Sequence, residues 1–245
     1  MGRGHRAGIP RHSVSGPHCF YQLYFLATVH GDPAGYERAW RFFEHIRPQV
    51  ITVEISPFSV RYRQRAAKRW QQRLSEAMRA LPANAPEKFA VARVAAQTAL
   101  PFEYRAARDW GKVQNIPVKF LDAGKVARSH LPRYADELLC SENLRFLYET
   151  DAAGTLEEFV GAEFRRARLG LEGKLQPRPG GIDPQECSRE RLWARRLRKL
   201  LAGGHRLVHL GGWEHLVSWP GGGGLSHLLA DLRPCIMFLD EADQM

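Results

Sequence analysis

Two histidines each stand three residues after a small one, in Ala27-Thr28-Val29-His30 and Gly212-Trp213-Glu214-His215. A small residue lets the backbone run close to a ligand, and a histidine three positions on can supply an imidazole. Glu54 lies in the apolar run Ile51-Thr52-Val53-Glu54-Ile55. An unpaired charge there would be costly, so it needs a partner, a metal or solvent. Two imidazoles and a carboxylate are common ligands for a catalytic divalent metal, with positions left open for water. The residue types do not separate Mn, Zn or Co. Without a metal, the same groups can act as general base, orienting carboxylate and electrophile. Asp122 and Glu214 are weaker candidates. Asp122 equally suits a turn or helix cap, and Glu214 either supports His215 or is a plain loop carboxylate. His209 alternates within its strand and reads as structural, while His45, His130, His205 and His227 have no supporting spacing.

These groups can meet only if the chain folds as an α/β sheet. Tyr21–Val29 is an apolar, aromatic and β-branched run, the pattern of a buried strand. His30-Gly31-Asp32-Pro33 makes a turn, and Tyr36, Ala39, Trp40, Phe43 and Ile46 follow at helical spacing before Pro48. Gln49–Ile55 reads as a second strand, so the opening is a βαβ unit with a parallel, right-handed crossover. The middle, 57–170, reads as mostly helical: Pro57–Ala80, Pro86–Thr98, Pro101–Gln114, Leu131–Leu147 and Thr155–Leu169, with a short strand at Val118–Leu121. Gly170–Pro184 is the clearest interior loop. The basic helix Arg189–Leu201 then leads, past Gly203-Gly204, to a strand at Arg206–Leu210. After Gly221–Gly224, Leu225–Leu232 suits a helix and Cys235–Leu239 a last strand. The expected fold is a mostly parallel central sheet flanked by helices, one domain over 19–245 after a flexible basic tail at 1–18. In such sheets ligands bind beyond the carboxyl ends of the strands. His30, Glu54, Asp122 and the Gly-Gly-Trp-Glu-His segment would all converge there.

Length and composition narrow the function classes. A chain of 245 residues can bury a full core without staples. Its four cysteines are scattered, which argues against a zinc finger or a disulfide framework and suits a reducing compartment. No run approaches the roughly 20 apolar residues of a membrane span, and no signal peptide follows the basic start, so a cytoplasmic location is expected. The net charge of +10 is carried by 29 Arg and 7 Lys spread along helices rather than gathered in one run. No nucleic-acid module accompanies them, so nucleic acid is not the expected partner.

The stretch FLATVHGDPAGYERAWRFFEHIRPQVITVEISPFSVRYR resembles the opening of the TraB/PrgY proteins. In that family a small-x-x-His turn ends the first strand, and a helix leads to a strand bearing glutamate and then an arginine. The later stretch RERLWARRLRKLLAGGHRLVHLGGWEHL resembles the second signature, Glu-Arg before a helix and a strand running into Gly-x-x-His. Ala27 stands where the family has glycine, and Leu192 where it has an acidic or amide residue. The resemblance implicates His30, Glu54, Arg191 and His215, with Arg61 and Asp122 more weakly. Its wider relatives include GumN-like proteins, Tiki metalloproteases, ChaN haem-binding lipoproteins and erythromycin esterases.

The resulting expectation is a hydrolase of a peptide, ester or lactone bond, acting on a small-molecule or peptide substrate. His30, Glu54 and His215 would surround a divalent metal or an activated water. Arg191 would hold a developing oxyanion or an anionic substrate group. The alternatives are a module of the same fold that binds haem or metal without turnover, and a regulatory partner-binding protein.

Overall fold

The computed structural model of the protein describes residues 22–150, 154–175, 184–217, 219 and 224–245. The tail expected at 1–18, Cys19, most of the Gly170–Pro184 loop and Gly221–Gly223 lie outside them. Strand β1 spans Leu23–Thr28 and β2 Val50–Val53, and every residue of both is buried. Continuous apolar runs of this kind suit strands covered on both faces. Between them lies α1, Gly35–Ile46. Asp32 fixes its entry, accepting from the Ala34 amide at 2.9 Å and from Arg38 at 2.8 Å.

A long helix α2, Pro57–Met78, follows with Ser56 as its cap, whose hydroxyl accepts from the Ser59 amide. Then come α3 (Phe89–Ala96), α4 (Phe102–Val113) and the short strand β3 (Val118–Phe120). Helices α5 (Lys125–His130), α6 (Tyr134–Leu138), α7 (Ser141–Thr150), α8 (Leu156–Leu171) and α9 (Pro184–Leu201) lead to β4 (Leu207–Gly212). The chain closes with α10 (Trp213–Leu216), α11 (Leu225–Leu228) and β5 (Cys235–Phe238).

All pairings are parallel, and the strand order is β3-β2-β4-β1-β5. The chain leaves β1 and β2 in one direction across the sheet, and leaves β3 and β4 in the other. With right-handed crossovers, those connections fall on opposite faces. Helix α1 accordingly packs on α4, and α9 on α11. Open sheets of this kind take ligands in a crevice at such a point, here the carboxyl end of β4 between β2 and β1, where neighbouring chain exits part company.

Phe25, Leu26, Phe42, Phe43, Ile51, Trp193 and Leu210 are fully buried around the sheet. The helical middle has a second cluster centred on Trp70, whose ring lies 4.9 Å from that of Tyr134, with Leu139 and Leu144. Cys140, Cys187 and Cys235 are unpaired, and no helix among the described residues is long and apolar enough to cross a membrane.

Several boundaries differ from expectation. The helix expected over Leu131–Leu147 is two short ones, α6 and α7, because Pro132 has no N–H to give to a first turn and the backbone leaves helical geometry at Leu139. The segment read as a helix from Pro86 starts as a single tight turn at Ala85–Glu87, with Lys88 extended before α3. Helix α8 runs on to Leu171 instead of stopping at Leu169. The helix expected over Leu225–Leu232 breaks at Leu229 into α11 and a tight turn. Strand β4 extends through both glycines, which pair with Ala27 and Thr28. Phe43→Ala should cost about 3–5 kcal/mol by leaving a cavity under the sheet. Val113→Ala, at a site 65 % exposed, should change stability by no more than about 0.5 kcal/mol. Urea unfolding midpoints of the two variants check both figures.

Candidate active site at the carboxyl end of β4

Glu54 follows β2, and continuing the β2–β4 register sets it opposite Gly211. Its carboxylate leans across β4, and a Cβ at Gly211 would lie 2.1 Å from Oε1. Only glycine leaves that space. Oε2 accepts from the Gly212 amide at 3.0 Å, and Oε1 from Nε2 of His209 at 3.2 Å. Gly212 makes room for the other half of the site, since a Cβ there would lie 3.1 Å from Nε2 of His30. The small residue before His215 thus accommodates the site's own imidazole from β1.

His30 follows β1, with Gly31 at φ +85° turning the chain behind it. Its Nδ1 lies 2.6 Å from Oε1 of Glu103, which also accepts from the Thr28 hydroxyl at 3.1 Å. A carboxylate only accepts, so Nδ1 carries the proton and Nε2 is left to face the crevice. His215 repeats this arrangement. Its Nδ1 lies 2.8 Å from Oε1 of Glu190, whose Oε2 accepts from the Gly224 amide at 3.2 Å. The edge of the His215 ring packs on Trp193. Neither Nε2 has a hydrogen-bond partner among the described residues.

The three carboxylates are more buried than the two imidazoles. Glu54, Glu103 and Glu190 side chains are each 7 % exposed, His215 is 13 % exposed and His30 is 68 % exposed. Desolvation by the crevice walls opposes a charge on His30. Glu103, Glu54 and Glu214 together outweigh it, and the pKa is held up at about 9. Water on the open side of the ring screens part of that attraction. Burial likewise opposes charge on Glu54, but His215, His209 and His30 together hold its carboxyl down at about 2. His215 is shifted upward, as Glu54 and Glu190 overcome its desolvation.

Of the residues singled out in the sequence, His30, Glu54 and His215 come together around Gly212. Glu214 is half-buried beside them, and its carbonyl accepts from Trp219. Asp122 sits farther along the sheet, where Oδ1 forms a turn with the Gly124 amide and Oδ2 pairs with Arg189 at 3.0 Å. Arg61 is exposed on α2. Arg191 is exposed on α9, with no side-chain partner among the described residues. Each helical step turns the chain by about 100°, so a helix that aims Glu190 inward aims Arg191 away. The oxyanion role expected of Arg191 has no geometric support here.

Glu103 and Glu190 were not anticipated, although a signal exists for both. Glu103 shares the buried stripe of α4 with Ala106, Ala107 and Trp110. Glu190 shares that of α9 with Trp193, Ala194 and Leu197. An acidic residue on an apolar stripe must find a buried partner.

The donor chemistry suits a divalent metal. Metal-bound histidines commonly hold a carboxylate at one ring nitrogen and bind through the other. His30 and His215, through Nε2, and Glu54 would be the ligands. Among the described residues, however, no three His, Cys, Asp or Glu side chains are gathered closely enough to hold an ion as they stand. No protein-family model, curated protein or solved structure matches the chain.

The raised pKa of His30 links the site to stability. Folding tightens this proton, so the His30–Glu103 contribution is complete below the ordinary value of 6.5 and fades as pH rises through about 9. Glu103→Gln should flatten that part of the stability profile, which urea midpoints across the window would show. A slope equal to that of the parent would mean that Glu103 does not hold the proton.

Proposed function

We propose that the chain is a hydrolase of the TraB/PrgY kind, cutting a peptide, ester or lactone bond at the carboxyl end of β4. The observation that carries this reading is the matched pair of imidazoles. Each is held at Nδ1 by a buried glutamate and left free at Nε2, beside a carboxylate that stays ionised. Such orientation fixes which nitrogen meets substrate and supports the charge that forms on the ring. His215, enclosed by Trp193, takes a proton from the attacking water once its own has left. His30, open to solvent and still charged at neutral pH, donates from Nε2 to the oxygen on which charge develops. Glu54 stabilises positive charge on both rings.

A divalent ion bound at His30, His215 and Glu54 would acidify water and polarise the scissile carbonyl. Both rings must lose their Nε2 protons to bind it. Metal affinity, measured by calorimetry with Mn2+ or Zn2+ alone, should therefore tighten as pH rises toward about 9. Affinity that falls over this range would speak against ligation by His30.

Hydrolysis of p-nitrophenyl esters, lactones and a casein-derived peptide tests the activity, with and without Mn2+. His30→Ala, His215→Ala and Glu54→Gln should each lower kcat/KM by about 10²–10⁴ while leaving the circular dichroism unchanged. If all three variants keep the parent's metal content and turnover, the site is wrongly placed. A haem Soret band lost in His30→Ala, with no turnover of any substrate, would favour a binding module instead.

A further inference from the structure

His209 is fully buried in the middle of β4, where its position in an alternating apolar strand suggests a core histidine. Its surroundings point to more. The parallel register sets Phe25, His209 and Thr52 in one row across β1, β4 and β2, directly behind the row of Ala27, Gly211 and Glu54. Both ring nitrogens are engaged. Nε2 lies 3.2 Å from Oε1 of Glu54, and Nδ1 lies 3.0 Å from the Thr52 hydroxyl. Because the carboxylate can only accept, Nε2 carries the hydrogen. Nδ1 then presents a lone pair and accepts from the Thr52 hydroxyl, whose other acceptor, the Val208 carbonyl, is more distant at 3.5 Å. The carboxylate sets the tautomer, and the Thr52 hydroxyl, able to donate or accept, holds the other nitrogen. An apolar side chain of similar bulk would fill the same space beside Phe25 but leave Oε1 without this donor.

We infer that His209 is a positioning residue: held at Nδ1 by the Thr52 hydroxyl, it fixes the Glu54 carboxylate against the Gly212 amide. His209 touches no substrate and acts through Glu54. Its effect on turnover rests on the hydrolase reading, whereas its effect on the position of Glu54 does not.

The two roles for His209 make opposite rankings of the same two variants. A core filler tolerates His209→Leu better than His209→Gln, since leucine adds no polar group to the core. A positioning residue ranks them the other way, since glutamine keeps an N–H donor. The readout is amide hydrogen exchange at Gly212, whose N–H is held by Oε2 of Glu54, with Leu210 in the same strand as control for general opening.

His209→Leu should speed exchange at Gly212 by about tenfold or more relative to Leu210, and His209→Gln by less than about threefold. Equal protection of Gly212 in both variants, or better protection with leucine, would overturn the inference. Should His209→Leu fail to fold, the parent and Thr52→Val decide the matter by long-range ¹H–¹⁵N imidazole spectra. The parent should show the Nε2–H tautomer of His209, and loss of the Thr52 hydroxyl should disturb it. An Nδ1–H tautomer in the parent refutes the assignment.

Ester hydrolysis separates this inference from the function it serves. His209→Leu should lower kcat by about 10–100-fold with KM unchanged, and His209→Gln should recover most of it. If Glu54→Gln hydrolyses as the parent does while Gly212 still responds to His209, the hydrolase reading fails and the positioning role stands. If Glu54→Gln is inactive but His209→Leu changes neither Gly212 nor kcat, the positioning role fails and the hydrolase reading stands.

Discussion

A carboxylate at the end of a fully buried strand is the constraint on which this site depends. Glu54 follows four buried residues, and removing its charge from water without compensation would be prohibitive. Its hydrogen bonds come from β4, an amide from Gly212 and an imidazole from His209 in the space that Gly211 leaves, and the charges of His215 and His30 add to them. Once β4 is committed to Glu54 in this way, its continuation into α10 carries His215 to the same place. Its second glycine admits His30 from β1. The two glycines of β4 serve different neighbours, one for each half of the crevice.

The strand topology explains why such a concentration of charge is tolerated here. At the carboxyl end of β4 the strand order sends the connections toward opposite faces of the sheet. His30 can remain open to water while its partner Glu103 lies beneath it, and His215 is enclosed by α9. The two imidazoles share a chemical arrangement but not an environment. That difference supports assigning them different tasks.

Much of this architecture was legible in the sequence. The apolar runs at β1, β2 and β4 are unambiguous because strands buried on both faces carry almost nothing but apolar residues. His30, Glu54 and the Gly-x-x-His turn stood out because each breaks such a run. Glu103 and Glu190 were harder to see, since they lie on helices where charge is ordinary, and only their place on the buried stripe distinguishes them. Their partners are 73 and 25 residues away, and no local pattern links residues across such separations. For His209 the sequence says less than the contacts do. Alternation within a strand says that a side chain is buried and nothing about what its two nitrogens meet. The helical middle was overextended at Leu131–Leu147 because periodicity there continues past Leu139 while the helical backbone does not.

The pairing of β1 with β4 also has a kinetic side. The Thr28 hydroxyl lies 3.1 Å from the Gly211 carbonyl across 183 residues of sequence, and these two strands occupy the middle of the sheet rather than its rim. Nearly the whole chain must be looped out before they can meet, and non-local parallel pairings of this kind form slowly. During synthesis, His30, Glu54 and Glu103 emerge well before the strand that unites them. Until β4 arrives, Glu54 keeps its water and the crevice does not exist. The protein therefore acquires its reactive centre only once β4 is in place, and a chain cut short before β4 would have none of its site.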